Sequence, residues 1–163
     1  MAVDGSIVTR FLDDLRAAEA AGAEVLNAWV AVCRLDGLRG GLRTIGEREA
    51  GHAELLAERL RELAAPCTAE VEQRVRQAAF ARYGSATVSD EDKLRVLLAR
   101  YPDDLSMTRP IYVVLNDMRP DPETSELLRL VADGEAATIA WLRGYAAELA
   151  RRGVHVLPDR PRA

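Results

Sequence analysis

This sequence has little cysteine, few β-branched residues, no excess of basic charge and no long apolar run. Its two cysteines, Cys33 and Cys67, stand at no metal-ligand spacing. They fit a reduced, cytosolic setting and give no support to a disulfide framework. Lysine and arginine number 22 against 26 aspartates and glutamates, a net charge of −4, which argues against nucleic acid as a partner. No apolar stretch approaches the ~20 residues of a membrane span. Met1 to Arg10 contains Asp4 and lacks a basic-then-apolar leader pattern, so the expectation is a cytoplasmic protein without a membrane partner. Sparse β-branched residues argue against strands, and no strand pattern or short repeat is visible.

Alanine, leucine, arginine and glutamate dominate, a composition that favours helix. A first helix is predicted from about Ser6 to Leu35, with the stripe Ile7, Phe11, Leu15, Glu19, Gly22, Leu26, Trp29 and Cys33. Asp36 and Gly37 interrupt it, Asp36 as the cap of a second helix over about Leu38 to Ala64, which Pro66 stops. So short a linker predicts an antiparallel hairpin. A shorter helix is predicted over Thr68 to Tyr83, with Val71, Val75 and Ala79 inward, ended by Gly84. Ser89-Asp90-Glu91-Asp92 reads as an acidic, capped helix start. Leu94, Leu98, Tyr101, Leu105, Thr108, Tyr112 and Leu115 then keep helical spacing, but Pro102 and Pro110 break that run into pieces. Asp121 caps a last helix with Pro122 at its first position, and the helix runs to about Arg152. Its stripe is Leu128, Val131, Glu135, Thr138, Leu142, Tyr145 and Leu149. The chain thus divides into a helical domain over 1–153 and a proline- and arginine-rich flexible tail over 154–163 that includes His155.

Three of these stripes contain an acid where an apolar residue belongs. In the second helix, Leu38, Leu42, Ile45, Glu49, His52, Leu56, Leu60 and Leu63 follow at steps of three and four, which places all of them on one face. Glu19 and Glu135 take the corresponding places in the first and last helices. Each acid is near mid-helix, so antiparallel packing brings the three to a similar depth. Clustered buried carboxylates repel one another unless a cation or protons lie between them, and three carboxylates with one imidazole suit iron or manganese. Glu24, Glu47, Glu54 and Asp133 fall off the stripes and should face water.

Leu15-Arg16-Ala17-Ala18-Glu19 and Glu49-Ala50-Gly51-His52-Ala53 resemble the first half of a ferritin-like, rubrerythrin-type domain. Asp133-Gly134-Glu135-Ala136-Ala137-Thr138 resembles the motif of that family's last helix. The resemblance covers most of the chain as scattered motif positions. It implies an all-α, antiparallel four-helix bundle with a broken third helix and short extra helices, a homodimer, and oxidase- or peroxidase-type chemistry at iron or manganese. Glu19, Glu49, His52 and Glu135 would be the metal ligands. The family's complete di-metal site takes one glutamate from each of two helices and Glu-x-x-His from each of the other two. Here Thr138 stands where the second histidine belongs. The third helix offers no glutamate in its stripe, only Asp92, Asp103 and Asp104 as substitutes. Paired Cys-x-x-Cys motifs are missing, which excludes a complete rubrerythrin. The competing expectation is a metal-free, non-catalytic bundle serving as an interaction or oligomerisation module. Tyr145 lies on the site's stripe, within reach of such chemistry.

Overall fold

The structure is a computed structural model, and it describes residues 5–153. These form six helices and no strand: α1 (Gly5–Val32), α2 (Asp36–Glu62), α3 (Gln73–Tyr83), α4 (Asp90–Arg100), α5 (Arg109–Val113) and α6 (Pro122–Arg151). The last turn of α5 continues as a π-helical segment, Val114–Met118. The expected tail, with His155, lies outside the described residues. No helix among those described is long and apolar enough to cross a membrane.

Two helix starts follow their local chemistry. Asp121 accepts hydrogen bonds from the backbone N–H groups of Glu123 and Thr124, each at 3.1 Å, and Pro122 opens α6. Ser89 accepts from Asp92 N–H at 3.1 Å and opens α4. Elsewhere distant acids decide. Asp36 is not the cap of α2 but lies inside its first turn, and the capping position is Leu35, without a side-chain bond. The turn amides are satisfied instead by Asp90 from α4, whose carboxylate accepts from Arg34 N–H at 2.7 Å and Leu35 N–H at 3.3 Å. The same carboxylate accepts from Trp29 Nε1 at 2.8 Å. Residues 68–72 are likewise not helical. Asp13 on α1 accepts from Thr68 and Ala69 N–H, both at 2.7 Å, while Arg16 donates to Ala69 O at 2.8 Å. That clamp holds the segment open and delays α3 to Gln73. Both aspartates sit below the usual carboxylate range: burial pushes them up, but the hydrogen bonds they accept outweigh it.

The core is two apolar clusters with a polar layer between them. One gathers Leu26 and Trp29 of α1, Cys33 just after it, Leu38, Leu42 and Ile45 of α2, Leu94 and Leu98 of α4, and Leu142 and Leu149 of α6. The other gathers Val8 and Leu12, Leu56 and Leu60, Ile111 and Val114, and Leu128 and Val131. Burying each such side chain contributes ~1.5–3 kcal/mol. Along the chain, α1 and α6 run from the Leu12 cluster to the Trp29 cluster, whereas α2 and the α4–α5 stretch run the opposite way. The hairpin of α1 and α2 is therefore antiparallel, as the three-residue connection implies. α2 follows its predicted stripe closely, with only Leu63 left 36% exposed. In α1 the first half is rotated from expectation: Val8 and Leu12 are buried while Ile7 is 42% exposed. The reason is the buried Asp13, which turns this part of the helix toward the 68–69 backbone. α3 packs on α1 without burying any residue fully.

Candidate metal centre

Each helix that spans both clusters crosses the polar layer between them. α1 brings Glu19 between Leu12 and Leu26. α2 brings Glu49 and His52 between Ile45 and Leu56. α6 brings Glu135 and Thr138 between Ala132 and Leu142. All five are buried, at 4–8% exposure, with apolar packing above and below. His52 Nδ1 lies 3.1 Å from Glu19 Oε2. One ligand atom from each of Glu19, His52 and Glu135 falls within 4.8 Å of the other two. A buried Glu–His–Glu group of this size can hold a metal ion. Glu135 Oε1 is buried with no hydrogen-bond partner, and such an oxygen is costly unless a proton or cation meets it.

Glu49 belongs to the same layer. Its carboxyl is pushed up to about 9, first by burial and then by the charges of Glu135 and Glu19, with Arg48 pulling the other way. Glu135 rises to about 8, again chiefly by burial, then by Glu19, and again opposed by Arg48. Without a cation these two acids therefore hold protons at neutral pH. Two glycines admit the polar groups. A Cβ on Gly22 would collide with the Glu49 carboxylate, and one on Gly134 would lie 2.5 Å from His52 Cε1. Gly134 thus lets α6 approach the imidazole, and Gly22 gives the Glu49 carboxyl its space against α1.

Sequence reasoning missed two members of the site. Arg48, beside Glu49, turns inward and donates from Nη2 to Thr138 Oγ1; its Nε is buried without a partner. Thr138 is engaged by this guanidinium and so serves as its hydrogen-bond acceptor. The only sequence signal is adjacency to Glu49. Tyr101, after the last turn of α4, stands beside the site: burial raises its phenol most, Arg100 pulls it down, and Glu135, Glu49 and Glu19 raise it further. Its place depends on where the chain breaks, which no periodicity gives.

Other candidates lie elsewhere. Asp92 pairs with Arg95, Asp104 with Arg143, and Asp103 caps its own turn by accepting from Leu105 N–H at 3.0 Å. No acid from the third-helix region therefore joins the group. Tyr145 stacks on Trp141 with ring centroids 5.5 Å apart, and its ring edge lies against Gly37 in the Trp29 cluster, away from the acids. Glu24 pairs with Arg76, and Glu47, Glu54 and Asp133 are exposed as expected. Cys33 is buried, with its thiol raised to about 11 mainly by burial, and Cys67 is exposed; both are free.

A cavity of about 440 Å³ opens beside the acids, between α1, α3, α4 and the 101–110 stretch. Glu19, Glu49 and Glu135 line it, along with Leu15, Val75 and Leu97. The α4–α5 stretch is interrupted between Arg100 and Arg109, at the level of the polar layer, and the cavity opens beside that gap. Comparison with protein-family models, with curated proteins and with solved structures finds no match for this chain.

Proposed function

We propose that this chain is a ferritin-like four-helix bundle holding a single iron or manganese ion for oxidase- or peroxidase-type chemistry. The four rods would be α1, α2, the α4–α5 stretch and α6. Their directions, with one long crossover carrying α3, suit that bundle. The reading rests on Glu135 Oε1, buried and unpartnered beside Glu19 and His52. The donors fit the group: carboxylate oxygens with one imidazole suit iron or manganese. Glu19, His52 and Glu135 would hold the ion, with Glu49 as a fourth ligand once it gives up its proton. Such an ion supplies a redox change or Lewis acidity. Arg48 favours one ion over two. Its guanidinium brings a fixed positive charge to Thr138, where the family pattern places a second histidine. The protein's own part is to hold protons on Glu49 and Glu135 at neutral pH until an ion displaces them, and to orient the imidazole against Gly134.

The test is metal content. Full-length protein without a histidine tag, given Fe(II) or Mn(II) without oxygen, should take up about one ion per chain. Glu135→Gln and His52→Gln should each reduce this at least tenfold while the helical circular dichroism is kept. Less than about a tenth of an ion per chain in the unaltered protein overturns the reading. The metal-free interaction module is the second reading. Arg48 favours it, because its charge, with protons on Glu49 and Glu135, neutralises the layer without any ion.

A further inference from the structure

Arg48 carries a charge that no anion beside it matches. Arg16, Arg39, Arg48, Arg59 and Arg143 are the half-buried arginines among the described residues. Four of them meet a carboxylate: Arg16 meets Asp13, Arg39 Asp36, Arg59 Asp121 and Arg143 Asp104. Arg48 meets none, and its side-chain partner is the neutral hydroxyl of Thr138. A guanidinium taken partly out of water without an anion is costly. Among the described residues, the buried side-chain atoms that lack a partner are Arg48 Nε, a donor, and Glu135 Oε1, an acceptor.

Both belong to one turn of α6 and its neighbour on α2. Arg48 Cδ, the carbon bonded to Nε, lies 3.4 Å from the place a Cβ on Gly134 would take, and Glu135 follows Gly134. Nη2 meets Thr138, one turn beyond Glu135. The guanidinium thus lies along the turn that carries the acid, and its flat fork can keep Thr138 with one arm while Nε turns to Oε1. Oε1 accepts that bond whether or not the other carboxyl oxygen carries a proton. One bond then satisfies both unmatched atoms. Arg48 also acts on Glu49 and Glu135 together, pulling both down against burial. As an arginine it keeps its charge at any physiological pH.

We infer that Arg48 is the counter-cation of the empty layer and a competitor of the ion: it bonds Glu135 when no ion is present and opposes any ion that takes Glu135 over. The ion would then be held reversibly, and the metal-free arrangement is the resting state of the same site. The competition rests on the proposed function; the bond to Glu135 does not.

The test has two arms, both on full-length protein. In the first, metal-free Arg48→Met, Glu135→Met and the double variant are melted beside the unaltered protein. Each single change strands one buried polar group and the double change strands neither, so the double variant should melt about 2–4 °C above what the summed single losses give. Additive losses overturn the bond. In the second arm Mn(II) is titrated, with the free ion followed by electron paramagnetic resonance. Arg48→Met should bind Mn(II) at least about tenfold more tightly, because like charges in a partly buried layer repel more strongly than in water. Arg48→Lys keeps the charge and should stay within about threefold of the unaltered protein. Unchanged or weaker binding in Arg48→Met, equal tightening in both variants, or no binding by any of the three overturns the competition. Binding by Arg48→Met beside an unaltered protein that takes up no Mn(II) or Fe(II) overturns the proposed function and supports the competition, so the two failures are distinguishable.

Discussion

Gly134 shows how one missing side chain shapes a site. Its place in α6 leaves room for a rigid ring rather than for backbone freedom: an added methyl would lie 2.5 Å from His52 Cε1 and 2.9 Å from Nε2. The ring cannot bend away, so Gly134→Ala should cost ~1–3 kcal/mol of stability despite the better helix propensity of alanine. It should also weaken metal uptake by turning the imidazole. Gly22→Ala makes the instructive contrast. There the methyl meets the tip of Glu49, a flexible chain that can swing aside. Stability should change little, within about 1 kcal/mol, while Glu49, the proposed fourth ligand, moves. Urea melts of both variants beside metal titrations separate the two effects; equal destabilisation would contradict this account.

At the scale of elements, the connections are tied down by acids distant in sequence. Asp90 joins the start of α4 to Trp29 and to the turn between α1 and α2 through three accepted hydrogen bonds. Asp90→Asn keeps the size but loses the charge and makes one oxygen a donor facing N–H groups. We expect a loss of about 2–4 kcal/mol in denaturant unfolding, since buried bonds to a charged acceptor are among the stronger ones. A change under about 0.5 kcal/mol would show that the turn holds without it. This network also marks the limit of what the sequence discloses. The α2 and α6 stripes, the capping by Ser89 and Asp121, and the break at Pro102 and Pro110 are local, and local patterns state them. Ser89-Asp90-Glu91-Asp92 reads correctly as a helix start, but nothing near it says that Asp90 serves a turn some 55 residues earlier. For the same reason Thr68 to Glu72 reads as helix. Asp13, on another helix, is what holds it open.

For the molecule as a whole, the polar layer makes stability depend on pH in an unusual direction. Glu49 and Glu135 have folded values near 9 and 8 against an ordinary 4.5. The folded metal-free protein thus binds more protons than the unfolded chain between those limits, and stability must fall as pH rises. The loss begins above about 4.5 and is complete once pH passes about 9. Asp13, Asp90 and Asp121, with lowered values, act oppositely and only in acid, where their contribution is lost as pH falls below the ordinary 3.8. Metal-free protein should therefore melt at lower temperature at pH 8.5 than at pH 5.5. Glu49→Gln and Glu135→Gln should each flatten that slope. A flat profile in the unaltered protein would mean that the acids are not buried together. The acids and His52 were legible because charge inside an apolar stripe breaks a strong pattern. Arg48 and Tyr101 were not, since one looks like a surface arginine and the other is placed by the irregular stretch after α4.

The interruption between α4 and α5 at the depth of the carboxylates has a kinetic meaning. A continuous helix there would seal the acids on every side, and an ion could come or go only if the protein partly melted. With the wall broken between Arg100 and Arg109, the way in passes through a loop. An ion of the kind proposed would then be taken up after folding is complete, and a chelator would remove it while the helices stay assembled.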